Sequence, residues 1–572
     1  MCDLDILLPM EPLQMTVSHP SAKPRLLIAT DDAAAGGTAQ VAYQMAAALV
    51  GEFDISFAGR RNAANACALD ELTRRGVAFI AHEIDEGAPW RNPLQSLHAT
   101  DAALDLIAAS EPDLLLTFDA AELISFAALK TAASRCGVPF VTVVNILLEN
   151  IEQRVGPTFH RLVAGLADAE AIVFACEAHR RRFASLFPDH PAPSHVIVNC
   201  RPDRFFEQRD PLARERLRRE LHLPAVAFLC LTTARIEPHK GQALIVRALA
   251  SLRRRGLGDN ARLVFAGGGT EPHLRALRRE IARHELEDRV LTLGPRADVV
   301  DLLDASDMFI LPSKSEATSL SVIEAMAKGV PVVATGVDGL LELIDESCAI
   351  MLPLAEEEAV PAIAEAIERL SRDEPLRLRL AEAGRDRADG FRIERAAARY
   401  ASLLREIVER RPGKAERRYE RSSIARGDTI DFADPARAWN VLREGWSFSE
   451  AEGVWSSGAS SSLLLRTDAR KGEMLRIEFE LSAFLSPACP AQESYVFADD
   501  EPIAFWRLAT PGWQKRSIEV EVADDCGRLR LRFEHMRAAA PAALGETDDS
   551  RVLALFLRRL CVAEAKAQSR VA

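Results

Sequence analysis

The sequence predicts an α/β chain of two doubly wound domains with parallel sheets, followed by an antiparallel β-sandwich of jelly-roll type. Three observations carry this. Up to about residue 411, short apolar strands alternate with helical segments, the pattern of a parallel sheet. Glycine turns recur where those strands end, at Gly36-Gly37, Gly267-Gly268-Gly269 and Gly294. Beyond a charged, apolar-poor stretch the period changes to strict alternation, as in IEFEL, IEVEV and LRLRF, which is that of half-buried strands.

The 572 residues, 48% hydrophobic and 27% charged, have the make-up of a soluble multidomain protein. The expected division is a lead-in over 1–24, α/β domains over 25–200 and 201–390, an amphipathic helix over 391–411, a linker over 412–438 and the sandwich over 439–565. A net charge of −13 argues against a broad nucleic-acid surface. No basic segment leads into an apolar stretch in the first 24 residues, so no signal peptide is expected. The longest apolar run, Val138 to Leu148, is too short to cross a bilayer. Ten scattered cysteines without a C-x-x-C fit reduced thiols and a cytoplasmic setting.

In the first domain, strand Arg25–Thr30 leads through a loop ending at Gly36 and Gly37 into a helix bearing Val41, Met45, Ala48 and Leu49, with Thr38 as its cap. This Rossmann-type opening brings backbone close to an anion. Further strands are expected at Asp54–Ala58, Val77–His82, Leu114–Phe118, Phe140–Val144, Ala171–Ala175 and Val196–Asn199. The cluster Arg180 to Arg182 suits anionic lipid or an acceptor phosphate. A solvated helix end complementing the dipole explains it more simply.

The second domain opens with strand Phe228–Thr233, which runs into ARIEPHKG and a helix from Gln242 to Arg254. Arg235 and Lys240 fall in the loop. Two fixed cations there suit a diphosphate, the arginine fork clamping two oxygens and lysine adding a point charge; a surface salt-bridge loop is the plainer alternative. Strand Arg262–Ala266 runs into the three glycines, and Val290–Leu293 into Gly294-Pro295-Arg296. Met308 to Pro312 then leads into SKSEATSLSVIEAMAKGVPVVATGVDG. Glu316 lies in its polar loop, a short helix is expected over Ser319–Lys328, and Val330–Thr335 reads as a buried strand. On one helix Glu316 and Glu324 would stand about 80° and about 12 Å apart, so they do not share a proton. From loop and helix they can face different parts of one long ligand. Between them the helix start at Ser319, Leu320 and Ser321 offers free backbone N–H groups that suit phosphate.

This E-x7-E spacing, followed by EAMAKGVPVVAT, resembles the donor-site signature of retaining glycosyltransferases of family four. R-x4-K-G at Arg235 to Gly241 resembles that family's diphosphate clamp, and Gly36-Gly37 its glycine pair beside the donor. The turn Gly294 to Arg296 resembles its base-lining loop. VIVNCRPDRF resembles its hinge, with Cys200 where the pattern has glycine. The resemblance spans about 25–411 and is densest over 229–344. It implies the GT-B architecture: an acceptor-side Rossmann-like domain over 25–200 facing a donor-side one over 201–390, with helix 391–411 crossing back onto the first. The implied reaction moves a sugar from a nucleotide-diphosphate sugar to an acceptor hydroxyl with retention of configuration, in bacterial surface glycan biosynthesis.

The resemblance also assigns roles. Glu316, Arg235 and Lys240 are the catalytic candidates. Gly36, Gly37, Asn145, Gly267, Gly268, Arg296, Ser319, Leu320, Ser321 and Glu324 are the substrate contacts, Glu316 addressing the donor sugar and Glu324 the ribose. Loop cations and a helix end can stabilise a leaving diphosphate, and no D-x-D ends a strand, so no metal or other cofactor is expected. Expected partners are the nucleotide sugar, a glycan or lipid-linked glycan acceptor, the cytoplasmic face of the inner membrane as a peripheral contact, and glycan-assembly proteins; nucleic acid is not among them. One departure matters. Where the family carries histidine after its VVTVVN-like strand, this chain has Asn145, which hydrogen-bonds but shares no proton. LLLTF is followed by Asp119, again without histidine. Either the leaving phosphate takes the acceptor's proton, or the chain is a sugar-nucleotide-binding scaffold docked through its sandwich.

Sandwich strands are expected at Ser462–Arg466, Met474–Phe479, Ser494–Phe497, Ile503–Leu508, Arg516–Val522, Leu529–Phe533 and Leu553–Leu557. GWSFSEAEGVWSSG resembles the opening of sandwich domains appended to bacterial surface-polysaccharide enzymes. Trp446, Trp455 and Trp513 are candidates for stacking on sugar rings, with core anchoring as the alternative.

Overall fold

The computed structural model describes residues 23–31, 36–82, 84, 101–120, 123, 125–147, 163, 165–224, 226–410, 424–434, 438, 441–523 and 527–564. Strands β1 (Arg25–Thr30), β2 (Asp54–Gly59), β3 (Ala78–Ala81), β4 (Leu114–Asp119), β5 (Phe140–Val144), β6 (Ala171–Phe174) and β7 (Ser194–Val196) form one sheet in the order β3-β2-β1-β4-β5-β6-β7. Every pairing is parallel. β1, β4 and β5 are apolar at almost every position because helices cover both faces of the sheet. Leu26, Ile28, Leu116, Val141 and Val143 enter one core with Met45. Leu27, Ala29, Leu115 and Val144 enter the other with Leu129 and Phe183.

Two helices of this domain matter for the site, α1 (Gly37–Leu49) and α2 (Glu177–Leu186). Gly36 is the N-cap of α1, so Thr38 lies inside the helix and does not cap it. The last strand ends at Val196; the Ile197 amide still donates to Phe174 O at 3.0 Å, and residues 198–200 lead on to the second domain.

The second sheet comprises β8 (Phe228–Thr233), β9 (Ala261–Ala266), β10 (Val290–Gly294), β11 (Met308–Leu311), β12 (Val332–Thr335) and β13 (Ala349–Leu352), in the order β10-β9-β8-β11-β12-β13. It is also wholly parallel. Both sheets thus carry the doubly wound order, which reverses between β1 and β4 and between β8 and β11; ligands of such sheets bind at that reversal. Helices α3 (Gln242–Arg254) and α4 (Leu320–Ala327) follow β8 and β11. Helix α5 (Ile393–Arg410) returns to the first domain, where Ala397, Tyr400, Leu404 and Ile407 join the core built on α1 and β1. Its apolar stripe is buried there, as its periodicity requires.

The C-terminal strands are β14 (Thr429–Asp431), β15 (Trp446–Glu450), β16 (Gly453–Ser457), β17 (Ser460–Arg466), β18 (Met474–Ala483), β19 (Gln492–Ala498), β20 (Glu501–Leu508), β21 (Gln514–Glu521), β22 (Arg528–His535) and β23 (Leu553–Glu564). One sheet runs β15-β16-β23-β18-β21 with β14 on β23, and the other β17-β22-β19-β20. Four strands of each, β16-β23-β18-β21 against β17-β22-β19-β20, make the eight-stranded jelly roll. A single core lies between the sheets. It begins earlier than expected: Ile424 bridges Thr467, and Ile430, Phe432 and Ala438 are buried in it, so residues 424–434 and Ala438 belong to the sandwich and not to a linker. Residues 412–423 of the expected linker, and residue 411 at the end of the expected helix, lie outside the described residues.

The tryptophans divide. Trp446 is 1% exposed and donates from Nε1 to the Ser462 carbonyl at 2.8 Å, so it anchors the core. Trp455 and Trp513 both stack on Phe556, with ring centroids 4.5 and 5.4 Å apart, and Arg558 lies over Trp513. Ring faces occupied by one another and by a guanidinium leave little aromatic platform for a sugar.

Candidate functional site

All parallel strands of a sheet deliver their loops to its carboxyl edge, and the predicted residues gather there in the second domain. Glycines hold those loops against one another. Gly241 has φ +73°, and a Cβ on it would stand 2.3 Å from the Pro312 carbonyl oxygen, so only glycine lets the loop after β8 lie on the end of β11. A Cβ on Gly267 would be 1.9 Å from the Ala234 oxygen. The Gly267 amide donates to Gly294 O at 2.8 Å, and Ile236 N donates to Gly268 O at 2.7 Å. Three loops, after β8, β9 and β10, therefore form one floor.

On it, Lys240 Nζ donates to Glu316 Oε1 at 2.6 Å, and Ser313 Oγ donates to the same oxygen at 2.7 Å. Glu316 is 7% exposed. Its charge is compensated at close range, as a buried carboxylate requires. Beside it, α4 begins at Ser319, whose side chain makes no capping bond to the helix; Ser319 Oγ and Ser321 Oγ lie 3.1 Å apart. The first turn of α4 keeps the free N–H groups of a helix start.

The first domain closes over this point. A Cβ on Gly37 would meet Leu320 Cδ1 at 3.3 Å, so the two helix starts, α1 and α4, touch. Thr318 Oγ1 donates to Ala175 O at 2.7 Å. Glu342 Oε2 and Oε1 accept from the amides of Glu177 and Ala178, each at 2.9 Å, so a carboxylate of the second domain caps α2 of the first. Arg182 pairs with Asp338 at 3.0 Å. The cluster Arg180 to Arg182 is thus spent within the protein: Arg180 and Arg181 pair with Glu177, and Arg182 ties the domains.

The remaining predicted residues stand as follows. Arg235 is in the loop but not on Lys240 or Glu316; its side chain is 69% exposed and pairs with Glu237 at 2.6 Å. Arg296 pairs with Asp298 at 2.5 Å and Glu220 at 3.1 Å, within its own domain. Asn145 follows β5, is 8% exposed, and among the described residues neither polar atom of its carboxamide has a hydrogen-bond partner. Such an orphaned amide is costly unless a ligand or water meets it. Asp119 is fully buried and accepts from Lys130 Nζ at 2.6 Å and Thr142 Oγ1 at 2.9 Å. Burial pushes its carboxyl up and Lys130 opposes this. Glu324 is buried on α4, with Oε1 2.8 Å from Arg201 Nε. Burial raises its pKa and Arg201 counteracts.

Sequence reading did not single out Arg201 or Glu342. Arg201 had a signal, a charge set inside the apolar hinge VIVNCRPDRF. Glu342 had none, since its partners are backbone amides about 165 residues away.

Residues 213–387 match the family described as Glycosyl transferases group 1. The two parallel sheets are the GT-B architecture, shared with solved structures at the level of fold. Anabaena HepE in complex with UDP and glucose superposes with a TM-score of 0.57 at 19% identity, over 67% of this chain and 100% of its own. Sucrose-phosphate synthase from Thermosynechococcus elongatus gives 0.55 at 19%, over 68% and 100%. Among curated proteins, a GDP-mannose-dependent alpha-(1-6)-phosphatidylinositol monomannoside mannosyltransferase of Mycobacterium tuberculosis is 31% identical over 249 residues, 41% of this chain and 62% of that protein. A D-inositol 3-phosphate glycosyltransferase of Corynebacterium glutamicum is 30% identical over 203 residues, 34% and 47%. The chain thus spans between about half and three-fifths of these two relatives' length. Among the described residues no helix is long and apolar enough to cross a membrane.

Proposed function

We propose that the chain is a glycosyltransferase that moves a sugar from a nucleotide-diphosphate sugar to an acceptor hydroxyl, retaining the anomeric configuration, in bacterial surface glycan biosynthesis. The observation that carries the reading is the Lys240–Glu316 pair beside the start of α4, at the topological reversal of the second sheet. A cation, a carboxylate and free helix amides there suit a leaving diphosphate joined to a sugar. Lys240 and the amides of Leu320 and Ser321 take the phosphates, and Arg235 swings from Glu237 to join them. Glu316 faces the donor sugar where positive charge develops. Glu324 addresses the ribose, and the orphaned amide of Asn145 takes a sugar hydroxyl from the first domain. The acceptor's proton passes to the leaving phosphate, because Asn145 accepts none. These cations replace a divalent metal.

The test is turnover of UDP- and GDP-sugars by the whole protein in the presence of a chelator, with the anomeric configuration of the product read by NMR. Transfer with retention is the expected outcome. Tight diphosphate binding without transfer or donor hydrolysis would favour the scaffold.

A further inference from the structure

Arg201 is 1% exposed and stands where four parts of the fold meet. Its Nε lies 2.8 Å from Glu324 Oε1 on α4. Nη1 donates to Gln44 Oε1 at 2.8 Å and Nη2 to Gln40 Oε1 at 3.2 Å, both on α1. Its amide donates to Phe391 O and its carbonyl accepts from Ile393 N, each at 2.9 Å, so the hinge is paired with the entry to α5. One planar fork thus spans the seam between the two helices whose starts touch at Gly37 and Leu320. The contact to Glu324 is one of charge: Nε is close to the carboxylate, yet its N–H is not aimed at an acceptor. Among the described residues no hydrogen bond reaches the other oxygen of Glu324.

We propose that Arg201 is a positioning residue of the donor site, holding Glu324 ionised and turned so that one carboxylate oxygen is left for the ribose hydroxyls while α1 and α4 are kept in register. The role rests on the transferase reading above. A methionine would fill the space of Arg201 but leave a buried carboxylate unpaired, and such a group takes up a proton instead. The charges acting on Glu324 are Arg201 and Arg204. From α1 the facing groups are the neutral Gln40 and Gln44. Cys200 beside Arg201 is a thiol pushed up to about 12 by burial, hence neutral. Removing Arg201 therefore takes away the main opposition to the upward push of burial on the Glu324 carboxyl.

The experiment measures affinity for UDP, GDP and their 2′-deoxy forms by calorimetry, from pH 5.5 to 8.5, in wild type, Arg201→Met and Arg201→Lys. Wild type should prefer the ribonucleotide by about tenfold or more at every pH, the worth of a hydrogen bond to a charged group. Arg201→Met should lose that preference at low pH, where Glu324 is protonated, and regain it as the pH rises. Arg201→Lys keeps the charge and should keep a flat profile at lower affinity. Should the methionine variant not fold, Arg201→Gln, a donor without charge, should show the same pH dependence. Unchanged, pH-independent preference in folded Arg201→Met or Arg201→Gln overturns the role and leaves the transferase reading standing. Failure of wild type to bind either diphosphate overturns both.

Discussion

Lys240 and Glu316 lie 76 residues apart and meet at 2.6 Å, and the account of this protein turns on what that pair does when a diphosphate arrives. In the proposed reaction Lys240 exchanges a carboxylate for phosphate oxygens, which frees Glu316 to face the sugar. Loss of one preorganised charge from a leaving group costs about 3 kcal/mol, or 100-fold in rate. Glu324→Ala should weaken nucleoside diphosphate binding in a folded protein, which calorimetry reads directly. A fully buried ion pair of the first domain offers a contrast. Lys130→Met strands Asp119 and should lower stability by roughly 3–5 kcal/mol in urea unfolding, whereas replacing both partners with apolar residues should be close to neutral. The motif residues were legible because their spacing carries their chemistry. Arg201 showed only as a charge in the hinge, since its partners come from α1, α4 and the entry to α5, and no local pattern announces a contact among three distant elements.

At the scale of elements, alternating and continuous apolar runs placed the strands well: β1, β5, β8 and helix α3 have the predicted bounds. The misses lie where backbone partners decide. Thr38 looked like a cap, but Gly36 takes that position. β12 begins at Val332 because Val330 still closes the turn after α4, its amide donating to Ala325 O. Residues 424–438 fell within the expected linker, yet Ile424, Ile430, Phe432 and Ala438 enter the sandwich core. Within that core His535 is wedged between Ser461 and Ser494, at 3.0 and 2.9 Å, and burial lowers its pKa from 6.5 to about 4. Between those values the unfolded chain holds a proton that the folded sandwich does not. Stability is therefore full above about pH 6.5 and falls toward pH 4, by up to roughly 3 kcal/mol. Five of the six tryptophans lie between positions 439 and 513, so their fluorescence in urea titrations follows the sandwich. The midpoint should drop across this pH range in wild type and much less in His535→Gln.

At the scale of the whole molecule, Arg443 of the sandwich lies near the amino edge of the first sheet, away from the loops of the donor site. Arg135 ends the helix before β5 and so sits at the amino edge. There burial and the nearby Arg443 of the sandwich lower its pKa to about 10. The donor-site candidates all lie on the carboxyl edges. A chain ending at Arg410 keeps α5 on the first domain and should still bind UDP or GDP; loss of that binding in a folded, monomeric truncation would make the sandwich part of the donor site. The central claim concerns the cleft. Its most direct measurement is the rate of sugar transfer from a panel of UDP- and GDP-sugars by wild type and Lys240→Ala, with a chelator present and both proteins shown to be folded. The account predicts transfer by wild type and at least a 100-fold lower rate in the variant. Near-normal turnover by Lys240→Ala, or activity in wild type only when magnesium or manganese is restored, would contradict it.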